Sequence, residues 1–123
     1  MSALSEKQIQ QAVLSHWRSF GLPGTLVAAV PNAGSLGQPG LHRGLFDLVV
    51  MGGDFLRDRT GWLELKTDKG RMSAHQITFG NICELTGAPY AVAYGREQPI
   101  AVLERWCVVR LRSARDATIA RAA

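Results

Sequence analysis

Asp47, Glu64 and Lys66 are the residues whose types and spacing could do chemistry: two carboxylates and an amine, suited to holding a hard divalent cation with a proton-handling group beside it. The run 62–66 alternates, which places Trp62, Glu64 and Lys66 on one face of a strand and Leu63 and Leu65 on the other. Glu64 and Lys66 then project side by side, about 7 Å apart at the usual strand rise. Asp47 interrupts the run 45–51, which is otherwise apolar. If the two runs pair through the turn between them, Asp47 can approach Glu64. A carboxylate in such a strand is costly to bury without compensation, and Mg²⁺, which takes oxygen ligands, would supply it. The same pattern also admits a structural ion pair between Asp47 and Lys66, with Glu64 solvated on an open sheet face. The local pattern leaves both readings standing.

Two further polar residues depend on the helices that would carry them. Residues 5–20 read as a first helix, opened by a capping box of Ser5 and Gln8. Ile9, Val13, Trp17 and Phe20 form its apolar stripe. Glu6 lies one turn before Ile9, near the centre of that stripe, where an inward carboxylate would suit a metal site. An acid in a first turn is also favoured by the helix dipole alone. Ser73 opens a second helix with Gln76 completing another capping box, so Gln76 has a capping role, a site role, or both. Ile77, Ile82 and Leu85 are expected to face inward from this helix, which stops at Gly87.

The remaining elements follow from periodicity and breakers. Gly21, Pro23 and Gly24 end the first helix, and 25–30 is a β-branched run stopped by Pro31. Residues 32–44 form a glycine-rich loop, 45–51 a second strand, and 52–61 a turn with Arg57 and Arg59 near its tip. After the third strand, 62–66, comes a polar connection over 67–71. Beyond the second helix, 90–94 reads as a strand, 100–106 as a short helix, 107–111 as a last strand and 112–123 as a frayed basic tail. Strands joined by short loops and then a helical crossover imply an α/β fold, a mixed sheet with helices on its faces.

The chain has 123 residues, enough for one domain with a single core, read here as a core over 5–111 plus the tail. With 46% hydrophobic and 20% charged residues it lies far from the disordered regime. Its net charge of +4 is compatible with a polyanionic partner without demanding one. Cys83 and Cys107 lack a CxxC spacing and read as buried free thiols in a reducing cytoplasm. The start of the chain shows no signal-peptide pattern, and no apolar run approaches a membrane span, so a cytoplasmic protein is expected. His16, His42 and His75 have no zinc-ligand spacing. The glycines at 34–40 match neither a P-loop nor GxGxxG, so no nucleotide cofactor is expected.

Gly44-Leu-Phe-Asp47, Glu64-Leu-Lys66 and Gly70-Arg-Met-Ser73-Ala-His-Gln76 together resemble the VRR-NUC family of the PD-(D/E)XK nuclease superfamily. Glu6 ahead of Ile9, and the loop of Pro31, Asn32 and Gly34, resemble it too, so the likeness runs from about Ser5 to Tyr94. One departure is visible: Phe46 stands where the superfamily pattern has proline, a residue that shapes the backbone and ligates nothing. The resemblance implies a PD-(D/E)XK core and a Mg²⁺- or Mn²⁺-dependent endonuclease acting on DNA. By similarity, Asp47, Glu64 and the Leu65 carbonyl would hold the metal, and Glu6 a second metal or a metal-bound water. Lys66 would orient the attacking water, and Gln76 would steady Lys66 or a phosphate. Asn32, His42, Arg43, Lys69, Arg71 and Ser73 are the expected DNA contacts, around a glycine-rich loop and a helix N-terminus. Free-standing members of the family resemble junction resolvases, which implies branched DNA and a two-fold homodimer. The competing readings are an inactive DNA-binding module on the same fold, and a structural domain with a solvated charged patch.

Overall fold

The computed structural model describes residues 4–31 and 43–112. α1 (Glu6–Phe20) begins because Ser5, in an extended conformation, cannot continue the helix backward and caps it instead. Its hydroxyl accepts from the Gln8 N–H at 3.2 Å, and the Gln8 side chain accepts from the Ser5 N–H at 2.8 Å. Trp17 then donates its indole N–H to the Thr25 hydroxyl at 3.0 Å, fixing the end of α1 against the entry to the sheet.

The sheet is four-stranded and mixed, with spatial order β1 (Leu26–Ala29), β2 (Leu48–Gly52), β3 (Leu56–Lys66), β4 (Tyr90–Tyr94). β1, β2 and β3 run antiparallel, with Leu48 opposite Leu63. α2 (Ala74–Thr86) crosses over to β4, which lies parallel to β3 with Lys66 beside Tyr94. α3 (Glu97–Arg105) completes the described fold.

Two apolar clusters show that both sheet faces are covered. Ile9 and Val13 of α1 and Val102 and Leu103 of α3 pack on Leu63 and Leu65. On the opposite face, Phe79 and Cys83 of α2 pack with Phe46 and Trp62. Phe79 meets both Phe46 and Trp62 edge to face, with centroids 5.1 Å apart in each pair. The strand alternation expected at 62–66 is therefore present, but each side of it is roofed. Glu64 and Lys66 lie on the α2 side, buried rather than on an open face.

Several expectations are corrected. β3 begins at Leu56, so the turn expected over 52–61 shrinks: Leu56 is buried and draws the chain into the sheet despite the polar residues after it. β2 starts at Leu48, one residue after Asp47. α3 begins at Glu97, because Pro99 falls in the first turn, where a missing N–H is tolerated. Residues 107–111 form no strand; Val109 makes only an isolated bridge to Gly21. Cys107 is exposed, with a φ of 59°, and is no buried thiol. Phe20 is exposed, with the Arg110 guanidinium over its ring. Ile77, Ile82 and Leu85 face solvent, because α2 turns Phe79, Gly80 and Cys83 to the sheet instead.

Arg112, expected at the start of a frayed tail, is anchored. Its backbone N–H and guanidinium make three hydrogen bonds of 2.9–3.1 Å to the buried Glu104 carboxylate, and a further one reaches Glu97. Residues 113–123 lie outside the described residues. Arg112→Ala would leave Glu104 buried without its cation, at a cost of about 3 kcal/mol. Urea unfolding should show a clear fall in midpoint for that variant. Arg110→Ala, which removes an exposed cation–ring contact with Phe20 and an exposed hydrogen bond to the Ser19 carbonyl at 3.3 Å, should shift stability by about 1 kcal/mol or less.

Candidate active site

The site forms where β2 begins and β3 ends, because the antiparallel register that pairs Leu48 with Leu63 brings Asp47 alongside Glu64. The two residues clasp each other across the strands. The Asp47 N–H donates to Glu64 Oε1 at 3.1 Å, and the Leu65 N–H donates to Asp47 Oδ2 at 2.9 Å. In a strand the N–H and C=O of one residue point to the same side, so the Leu65 carbonyl also faces the side from which Asp47 approaches.

α2 supplies the next layer. Ser73 caps the helix through the Gln76 N–H at 3.1 Å, and its own N–H donates to Gln76 Oε1 at 2.9 Å. The same Oε1 accepts from Lys66 Nζ at 2.9 Å, while Gln76 Nε2 donates to Glu64 Oε2 at 2.7 Å. Gln76 is thus a capping residue and a site residue at once. Lys66 Nζ lies 3.2 Å from Glu64 Oε2 and 3.8 Å from Glu6 Oε1. Glu64 is 1% exposed and Lys66 6%. The pairing of Asp47 with Lys66, one of the two sequence readings, is replaced by Glu64 with Lys66.

Glu6 reaches the site from α1, but its side chain is 54% exposed, so it stands at the rim and not within the apolar stripe. Arg43, Lys69 and Arg71 are exposed. Lys69 and Arg71 lie in the connection leading to α2, and Gly44, next to Arg43, touches His75 in the first turn of that helix. Asn32 and His42 lie outside the described residues.

Two glycines of the motif acquire structural roles that spacing alone did not assign. Gly44 has a φ of 88°, and a Cβ there would come within 2.4 Å of the His75 backbone. It lets the loop before Asp47 lie against α2. A Cβ on Gly70 would stand 3.2 Å from Lys66 Cδ, so this glycine leaves room for the lysine stem. Their place inside the motif was the available signal.

The electrostatics are those of an under-compensated acidic pair. Burial pushes the Glu64 carboxyl up to about 7, helped by the Asp47 charge and opposed by Lys66. Burial also raises Asp47, opposed by the Leu65 N–H, with the Glu6 charge adding to the rise. A divalent cation fits this donor set: two carboxylates and a nearby carbonyl are hard oxygen donors, and burial disfavours the charged carboxylates unless something compensates them. Among the described residues no cluster of three or more His, Cys, Asp or Glu is gathered to hold a metal. Mg²⁺ does not require one, since it commonly uses one or two carboxylates and keeps several waters.

The fold is an α/β one, a mixed four-stranded sheet in which α2 crosses over from β3, which carries Glu64 and Lys66, to β4. More narrowly, it is the fold of the VRR_NUC domain proteins. One solved structure named "VRR_NUC domain protein" matches with a TM-score of 0.72 and 18% identity, over 90% of this chain and all of that one. A second, named "VRR_NUC domain", matches with a TM-score of 0.60 and 20% identity, over 80% of this chain and 94% of the other. No protein-family model and no curated protein matches the sequence.

The raised Glu64 value has a signed consequence. A carboxyl that holds its proton more tightly when folded stabilises the fold fully below its unfolded value of 4.5, and loses that contribution as pH rises to about 7. His16 works the other way: burial lowers its pKa, so its contribution is lost as pH falls. The informative quantity is therefore wild type against Glu64→Gln. Without metal, wild type should lose stability relative to the variant between pH 5 and pH 8, by up to about 3 kcal/mol. Mn²⁺ should restore wild type at pH 8, more than at pH 5 and more than it helps the variant. Parallel thermal melts, with and without Mn²⁺, would refute this if the two proteins kept a constant difference across the range.

Proposed function

We propose that the protein is a Mg²⁺- or Mn²⁺-dependent endonuclease that hydrolyses DNA phosphodiester bonds. The observation that carries this reading is the Asp47–Glu64 clasp with Lys66 Nζ 3.2 Å from the glutamate, an arrangement of acid, acid and amine on a nuclease-type fold. Asp47, Glu64 and the Leu65 carbonyl would hold the ion, which when bound supplies Lewis acidity and a more acidic water. Lys66 offsets charge on the scissile phosphate and orients the attacking water. Water oxygen forms the new bond to phosphorus, and the ester oxygen leaves after taking up a proton. Gln76 keeps the lysine and Glu64 in register, so Lys66 does not collapse onto a single carboxylate. Glu6 biases Lys66 from the rim, or holds a further ion through water. Arg43, Lys69 and Arg71, together with the N-terminus of α2, receive phosphates along the backbone. Asn32, His42 and Ser73 complete the proposed DNA contacts.

Branched DNA is the proposed substrate, cut by a homodimer that presents two sites related by a two-fold axis. What supports the dimer is the outer face of α2. Ile77, Ile82 and Leu85 are 51%, 45% and 86% exposed. No Lys, Arg, Asp or Glu lies between Ala74 and Cys83, and Glu84, exposed beside Leu85, accepts a hydrogen bond from the Tyr90 hydroxyl at 3.0 Å. Leu85→Glu should convert a dimer in sedimentation equilibrium to a monomer; a wild type that is monomeric at tens of micromolar would refute the assembly.

The central test is incubation of labelled duplex, flap and four-way-junction DNA with Mn²⁺. Asp47→Asn, Glu64→Gln and Lys66→Ala should each slow cleavage by about a thousandfold, and Gln76→Ala less. Cleavage at full rate by Asp47→Asn would place the activity elsewhere. DNA binding without cleavage or calorimetric metal uptake would favour an inactive binding module.

A further inference from the structure

A cavity of about 250 Å³ opens beside the site, at the ends of β3 and β4. Leu4, just before the cap of α1, and Ile9, within the helix, give it apolar walls, and Tyr94 adds an aromatic ring. Asp68 and Arg96 add a carboxylate and a guanidinium. The cavity adjoins the reacting residues through the backbone: Tyr94 is the strand neighbour of Lys66, and the Gly95 N–H donates to the Lys66 carbonyl at 2.8 Å. Asp68 follows Lys66 by two residues, and its Oδ1 lies 3.1 Å from where a Cβ on Gly95 would stand.

The chemistry of the lining selects a ligand class. Glu97 lies 3.9 Å from the Arg96 guanidinium and is also held by Arg112, and with the Asp68 carboxylate beside them the lining has no surplus positive charge, which disfavours a phosphate. A lipid-like ligand would leave the charged rim unused. A nucleobase has flat apolar faces for Tyr94, Leu4 and Ile9, and an edge carrying both donors and acceptors for Asp68 and Arg96. The volume lies below the roughly 300–1,000 Å³ of clefts that enclose whole drug-sized ligands. It suits one planar ring system.

We propose that this cavity is a base pocket, taking one unpaired nucleobase of the strand whose phosphate lies at Asp47, Glu64 and Lys66, with Tyr94 as the stacking surface and Asp68 and Arg96 at the base edge. It rests on the nuclease reading and deepens it. A base must leave its stack to enter, and this costs least where it is already unpaired. The pocket therefore gives a physical reason for preferring flaps, mismatches and branch points over continuous duplex.

The experiment measures binding in EDTA, where no cleavage is needed. The probe is a flap DNA with 2-aminopurine at the first unpaired position, compared with the same DNA carrying an abasic residue there. Wild type should quench the 2-aminopurine and bind the base-bearing DNA about tenfold more tightly than the abasic one. Tyr94→Ala should abolish both the quenching and the preference, Tyr94→Phe should keep them, and Arg96→Ala, at an exposed rim position, should weaken the preference. A wild type that binds both DNAs equally overturns the pocket, as does a preference that survives Tyr94→Ala and Arg96→Ala. If Tyr94→Ala fails to fold, Arg96→Ala and Asp68→Asn decide between these outcomes. Base-dependent binding in a protein that never cleaves DNA with Mn²⁺ would sink the nuclease reading and leave the pocket standing.

Discussion

Everything at the proposed catalytic end depends on keeping Glu64 buried beside Asp47. Neither carboxylate has a full counter-charge of its own: Lys66 serves Glu64 directly and is shared with Glu6. The clasp of backbone N–H groups answers this in part, since each carboxylate accepts a hydrogen bond from the opposing strand. Those bonds hold the side chains in place whether or not they are ionised, so the geometry is fixed by the sheet while the charge is free to change. A sheet register shifted by one residue would turn Glu64 and Lys66 to the α1 face and destroy the site.

α2 couples this end of the sheet to the core. Its first turn spends the Gln76 side chain on two tasks, closing the capping box with Ser73 and bridging Lys66 to Glu64. Three residues later Phe79 locks the helix between Phe46 and Trp62. Phe46 is the residue just before Asp47, and Trp62 lies on the strand that carries Glu64. The aromatic contact therefore fixes the spacing between the two strands and the helix that their polar residues need. This accounts for the phenylalanine ahead of Asp47: Phe46 is a fully buried core side chain.

The parts legible in the sequence were those governed by local rules. Both capping boxes, the face shared by Glu64 and Lys66, and the strand at β4 follow from short-range spacing, and all are present. The parts that were not legible depend on which neighbour covers a surface. α2 carries apolar residues on two faces, and periodicity selected Ile77, Ile82 and Leu85, whereas the sheet receives Phe79, Gly80 and Cys83. Arg112 looked like a solvated tail because its partner Glu104 is eight residues earlier, on a helix whose start Pro99 obscured. The same holds for Glu6: spacing puts it near the centre of the apolar stripe, whereas its side chain stands exposed at the rim of the site, which no local rule describes.

The distribution of charge joins these local facts to the proposed chemistry. Three carboxylates, Glu6, Asp47 and Glu64, stand around one amine, Lys66, on a chain whose total charge is +4. The net charge of the chain is compatible with a polyanionic partner, while the carboxylates at this end of the sheet would repel one. A divalent ion carries the charge that would cancel the deficit, so binding it would remove both the internal repulsion and the barrier to an approaching phosphate. Sites of this kind are costly to the apo fold because their charges are arranged for a partner that is not part of the chain. Burial, which raises both Glu64 and Asp47, is the source of that cost in the folded protein.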